Sequence, residues 1–180
     1  MNTYKILPVL LWLLAVSTII RAQESWRISD DYTIKFSGTG AEGTFRGLEG
    51  QIIFDPHNFG NSKFDVSIDP STIDTGNNTK DKHARGKSWF HVDKYSKIKF
   101  VSNKIYSSGR QYVTEGLLTL HGVEKNVEIT FNFEESNGKA TFEGKMTIDR
   151  QEFGIEGPFI SFMVGDEFEV SLIVNAVKEN

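Results

Sequence analysis

Between residues 112 and 133 apolar and polar side chains change places at nearly every step. On the later arm Val127, Ile129, Phe131 and Phe133 alternate with Asn126, Glu128, Thr130 and Asn132, the period of a strand with one dry face and one wet one. On the earlier arm Tyr112, Thr114, Gly116, Leu118 and Leu120 share a face that is driest at its Leu118 and Leu120 end. Between them His121-Gly122 offers a glycine able to take the positive φ of a tight reversal, so the stretch predicts a β-hairpin.

The same alternation recurs along the chain. Tyr32, Ile34 and Phe36 lead into a glycine-rich turn at 38–43, and Leu48, Gly50, Ile52 and Phe54 follow on one face before Asp55-Pro56 stops the run. Phe64, Val66 and Ile68 form another dry face, expected to end at Pro70, which has no N–H for a continuing ladder. Ile98 and Phe100 begin the next, and Ala140, Phe142, Gly144, Met146 and Ile148 come after the hairpin. Phe168, Val170, Leu172, Val174 and Ala176 close the chain. No intervening helix is long enough for a parallel crossover, which predicts about eight antiparallel strands. Their dry faces must be covered by stacking or by closure, and closure also removes exposed edges. Several strands reach the long end of the usual range, which favours an all-β, extended eight-stranded antiparallel barrel, lipocalin-like, over a sandwich.

Two segments depart from this rhythm and read as lids. Around residues 78–87 the capping candidates Asn78 and Thr79 and the stop at Gly86 predict a short helical insertion, followed directly by Trp89 and Phe90. Residues 150–165 crowd Phe153, Phe159 and Phe162 among glycines and a proline. Such aromatics either plug a barrel end or line the mouth of a cavity.

Composition narrows the setting. With 180 residues, 38% of them hydrophobic, the chain has material for one substantial core. That domain is expected over residues 23–180. Residues 1–22 carry Lys5, an apolar run from Ile6 to Ile20 and then Arg21-Ala22, which suits a secretory signal cut after Ala22 better than a bilayer span; an uncleaved anchor is the alternative. The expected location is therefore periplasmic or secreted, with no stable transmembrane span after cleavage. The chain has no cysteine, which excludes disulfides, thiol catalysis and a lipid-modified N-terminal cysteine. Without Lys5 and Arg21, 18 of the 20 basic residues face 24 acidic ones, a net charge of −6 that argues against nucleic acid or an anionic membrane as partner.

Catalytic chemistry finds little purchase. The histidines are His57, His83, His91 and His121. His83 and His91, with Asp81 or Asp93, flank an aromatic pair without sharing a helical face, so no metal site is expected. His121 reads as a turn residue. There is no Gly-x-Ser-x-Gly elbow and no acid/base pair to carry a mechanism, so neither a catalytic residue nor a cofactor is assigned. Asn77-Asn78-Thr79 matches a glycosylation acceptor, a motif too short to weigh.

Four runs carry a family resemblance: Gly43 through Asp55 (GTFRGLEGQIIFD), Asp81-Lys82-His83 with Trp89-Phe90, Gly116 through Gly122 (GLLTLHG), and Arg150 through Gly154 (RQEFG). In this order and spacing they resemble the exported, lipocalin-like YceI proteins, over nearly the whole of residues 23–180. The resemblance implies a barrel enclosing a long apolar channel that holds a polyisoprenoid or related lipid. The chain departs from the family at Tyr32-Thr33, where a His-Ser pair is usual, and at Ser96, where a proline is common, so no headgroup preference is carried over.

The residues themselves also favour a hollow. Inward positions are almost wholly apolar, an eight-stranded barrel is wide enough either to be filled or to hold one small ligand, and glycines expected inward at Gly50, Gly116 and Gly144 remove volume from mid-strand. The lumen expected to take a lipid tail comprises Phe36, Phe54, Phe64, Ile68, Phe100, Leu118, Phe131, Phe142, Met146 and Leu172. Trp89, Phe90, Phe153, Phe159 and Phe162 are expected at the lid, and His83, Arg85 or Arg150 near a headgroup. A second reading is a non-enzymatic envelope interaction or stress protein whose barrel is filled and whose lids or edges meet a protein partner; an enzyme is the weakest reading.

Overall fold

A computed structural model describes residues 24–158 and 163–179. Eight strands, β1 (Ser25–Gly38), β2 (Ala41–Ile53), β3 (Lys63–Asp74), β4 (Ile98–Ser108), β5 (Gln111–Leu120), β6 (Val123–Ser136), β7 (Lys139–Asp149) and β8 (Glu167–Lys178), pair antiparallel in chain order. β1 also pairs with β8, so the sheet closes into a barrel. The β5–β6 hairpin has the expected register, with Leu120 opposite Val123 and Tyr112 opposite Phe131. His121 (φ 52°) and Gly122 (φ 77°) both take positive φ, as a two-residue turn matched to strand twist requires. Among the described residues one α-helix, α1 (Asn78–Arg85), interrupts the strands. The expected leader over residues 1–22, Phe159 and Phe162 lie outside the described residues.

Four local expectations are corrected. β3 runs through Pro70 to Asp74 rather than ending at the proline. β4 begins opposite Ile68, so beyond that point β3 has a ladder partner on one side only, the edge setting in which a missing N–H is tolerated. In β2 the simple alternation fails: register shifts between Thr44 and Glu49, with Gly47 at φ 72° and Gly50 at φ 128°, turn Phe45 inward and leave Gly50 exposed. At the end of β2, Ile52, Ile53 and Phe54 are all buried in succession. The cap of α1 is Asn77, one residue earlier than expected; its side-chain carbonyl accepts from the Thr79 and Lys80 backbone N–H groups. β1 starts well before Tyr32, because a bulge between Ile28 and Tyr32 separates its two dry stretches.

The interior divides along the barrel axis. Towards the start of β1 it is solid: Trp26 and Phe54 are fully buried, and the Phe54 ring lies 4.9–6.2 Å from those of Phe59, Phe64, Tyr112, Phe131, Phe133 and Phe142. These ring pairs are mostly edge-on or tilted, the arrangements that ring quadrupoles favour. The indole of Trp26 donates to the Phe54 carbonyl, which satisfies its one polar atom. Towards the β1–β2, β5–β6 and β7–β8 connections the interior is open.

Candidate functional site

The open half is a cavity of about 340 Å³, within the lower part of the range of small-molecule sites. Its wall is built from the inward positions nearest one barrel end: Ile34 and Phe36 on β1, Phe45 on β2, Ile68 and Ile73 on β3, Ile98 on β4, Leu118 and Leu120 on β5, Met146 and Ile148 on β7, Phe168 and Val170 on β8. Trp89, Phe90, Ala84 and Ile155 roof it, and polar groups stand mainly at its rim: Glu42, Thr75, Lys80, His83 and Arg150.

Of the ten side chains expected to face a tail, Phe36, Ile68, Leu118 and Met146 line this cavity. The other six do not. Phe54, Phe131 and Phe142 belong to the filled half, while Phe64, Phe100 and Leu172 stand between filled and open parts, packed against clusters on both sides or capping one of them. The inward glycines do not enlarge the hollow either. A Cβ on Gly116 would lie 2.6 Å from the Phe100 ring, and one on Gly144 would meet Ile129, Phe131 and Leu172 at 3.3–3.5 Å, so protein side chains occupy the volume that each glycine leaves.

The lids are two tied segments. Trp89 and Phe90 line the cavity, whereas Phe153 is buried beneath a 3₁₀ turn (Gln151–Phe153), packed with Phe100 and Leu118 and off the cavity surface. Arg150 is the knot. Its Nε donates to Gly165 O (3.0 Å), Nη1 to Ile155 O and Glu156 O (2.5 and 2.8 Å), and Nη2 to Val164 O and the Asp166 carboxylate (3.3 and 2.7 Å). All five N–H donors of the guanidinium are thus engaged, and the group also lies 5.4 Å from the Trp89 ring centre. Arg150 therefore organises the roof and has no donor to spare for a headgroup. Further ties run from Gly157 N–H to Ser88 O and from Gly165 N–H to Thr39 O.

Arg85 lies off the cavity lining and uses two of its donors on Ser71 O and Ile73 O, which clamps α1 to the end of β3. The buried Asp81 carboxylate accepts from both the hydroxyl and the backbone N–H of Thr75, at 2.6 and 2.8 Å, and these bonds hold its carboxyl below the ordinary value of 3.8. That leaves His83. With Lys80, three residues earlier on the same helical face, it reaches the rim, and neither side chain forms an ion pair with a described residue. Lys80 was not anticipated as a site residue, nor were Ile34, Phe45, Ile73, Leu120 or Ile148. Their common signal is nearness to one set of chain reversals.

Among the described residues no three His, Asp or Glu side chains converge as metal ligands. His121 instead sets its Nδ1 3.2 Å from Phe153 O and its ring 4.6 Å from that of Tyr95, which places it in the hinge between the β5–β6 turn and the roof.

The profile of the YceI-like domain matches residues 25–176. The UPF0312 protein plu2095 of Photorhabdus laumondii is 34% identical over 120 residues, which are 63% of this chain and 62% of that relative, so the chain spans less than two thirds of its length. Among solved structures, Burkholderia cenocepacia BcnA superposes with a TM-score of 0.76 at 24% identity, covering 81% of this chain and 96% of its own. A polyisoprenoid binding domain from Saccharophagus degradans implicated in plant cell wall breakdown superposes at 0.66 with 13% identity, covering 87% and 99%. At those identities the two structures establish a shared barrel fold.

Proposed function

Because this chain belongs to the family of YceI-like domains, we propose that it is an exported, non-enzymatic binding protein that holds the apolar tail of an isoprenoid or acyl lipid in the open half of its barrel. The observation that carries this is a 340 Å³ hollow walled by aliphatic and aromatic side chains, with polar groups gathered at the rim. Each methylene moved from water into such a hollow contributes about 0.8 kcal/mol, so the tail alone supplies the affinity. The polyisoprenoid-binding Saccharophagus domain supports the choice of ligand class.

The head then lies by α1. Arg150 has committed all its donors and Arg85 lies off the lining, so Lys80 and His83 remain at the rim as donors for a carboxylate, phosphate or carbonyl head. Export rests on the leader-like pattern of residues 1–22. Native mass spectrometry of the protein purified from its own host tests both parts at once. The expected spectrum shows a chain beginning near Gln23 that carries a lipid removable by organic extraction. A chain that retains residues 1–22 contradicts export, and a protein that never carries lipid, before or after incubation with host lipid extract, contradicts the carrier reading.

A further inference from the structure

The hollow has a floor. Phe100 lies with its ring over Gly116, where a Cβ would come within 2.6 Å of it, and Leu172 covers Gly144 from the neighbouring strand. Behind them Phe64 packs both with Phe100 and with the filled half, its ring 5.4 Å from Phe131 and 6.0 Å from Phe142. A tail that enters at the roof therefore meets close-packed rings before it reaches mid-barrel. Displacing them would open voids in a region packed at interior density, which is unfavourable.

We infer that this barrel selects ligands by tail length, with Phe100 and Phe64 setting the limit. The inference rests on the lipid-carrier reading and goes beyond it by fixing what the site excludes. A hollow of about 340 Å³, at the lower end of small-molecule sites, closed below by these rings, takes a tail of limited length. The ligand class is a single-chain amphiphile whose tail ends above Phe100. In a longer chain the surplus stays in water at the mouth and adds nothing to binding.

The test is a calorimetric titration of the whole protein with saturated fatty acids of roughly eight to twenty-two carbons, each below its micellar concentration. The wild-type protein is expected to gain about fourfold in affinity per added methylene while the chain is being buried, then to level off once the tail reaches Phe100, before the longest acid. Phe100→Ala and Phe64→Ala, each checked by thermal melting, should move the break to longer acids. Ile68→Phe, which adds volume to the wall and leaves the floor intact, should move it to shorter ones. Affinity that climbs without a break to the longest acid overturns the length limit and leaves the carrier reading standing. A break that stays put in every folded variant removes the floor from these residues. Failure of all the acids, whatever their length, overturns the limit and the carrier reading together.

Discussion

At the residue scale Arg150 does most to hold the site in shape. Its guanidinium ties four carbonyls and one carboxylate from the 155–166 segment to the end of β7. Replacing it with alanine strands several of those carbonyls in a part-buried roof, so Arg150→Ala should lower stability by about 2–4 kcal/mol. Arg150→Lys should recover little of this, because one ammonium cannot reach a fan of five acceptors. Urea unfolding of both variants measures it; a lysine variant as stable as wild type would contradict the assignment. The importance of this arginine was legible in the RQEFG run, but its task was not. A sequence shows that a cation lies near a glycine-rich loop and leaves open whether the loop's own carbonyls consume its donors. The same limit applies to Phe54, which alternation rightly turns inward. Parity along a strand separates inside from outside and carries no information about height along the barrel axis, and height decides whether a ring faces the hollow or fills the other half.

At the scale of elements, the β5–β6 hairpin could be read directly, since the later arm alternates strictly, the earlier arm is driest at Leu118 and Leu120, and the turn residues accept positive φ. β2 could not, because Gly47 and Gly50 bulge the strand and exchange its faces midway. The helix α1 is held by a small polar device: Asn77 caps its start, Arg85 clamps its end to β3, and Asp81 receives two bonds from Thr75. Because the folded Asp81 carboxyl lies below its ordinary 3.8, its ionised form stabilises the docked helix. That contribution is fully present above the ordinary value and is lost as pH falls below it and through the folded value. Amide hydrogen exchange across residues 78–85 should therefore quicken, relative to the barrel strands, in the acid window below 3.8. In Asp81→Asn the acid-dependent change should disappear. Exchange in α1 that tracks the strands at every pH would contradict the role given to Asp81.

For the molecule as a whole, the absence of cysteine leaves cohesion to closure of the sheet and to the aromatic half. The two ends of one barrel then have separate tasks: packed rings stabilise the fold, and the end roofed by α1 and the Arg150 segment is free to stay hollow. The central claim is that an apolar tail enters this hollow beneath Trp89 and stops above Phe100. A crystal structure of the protein saturated with a fatty acid brominated at its terminal carbon tests it most directly, because anomalous scattering locates the chain end without interpretation of weak density. The bromine should appear among Leu118, Met146 and Phe36. A bromine on the outer surface, or a hollow that holds only water while the protein is saturated with ligand, would contradict the account.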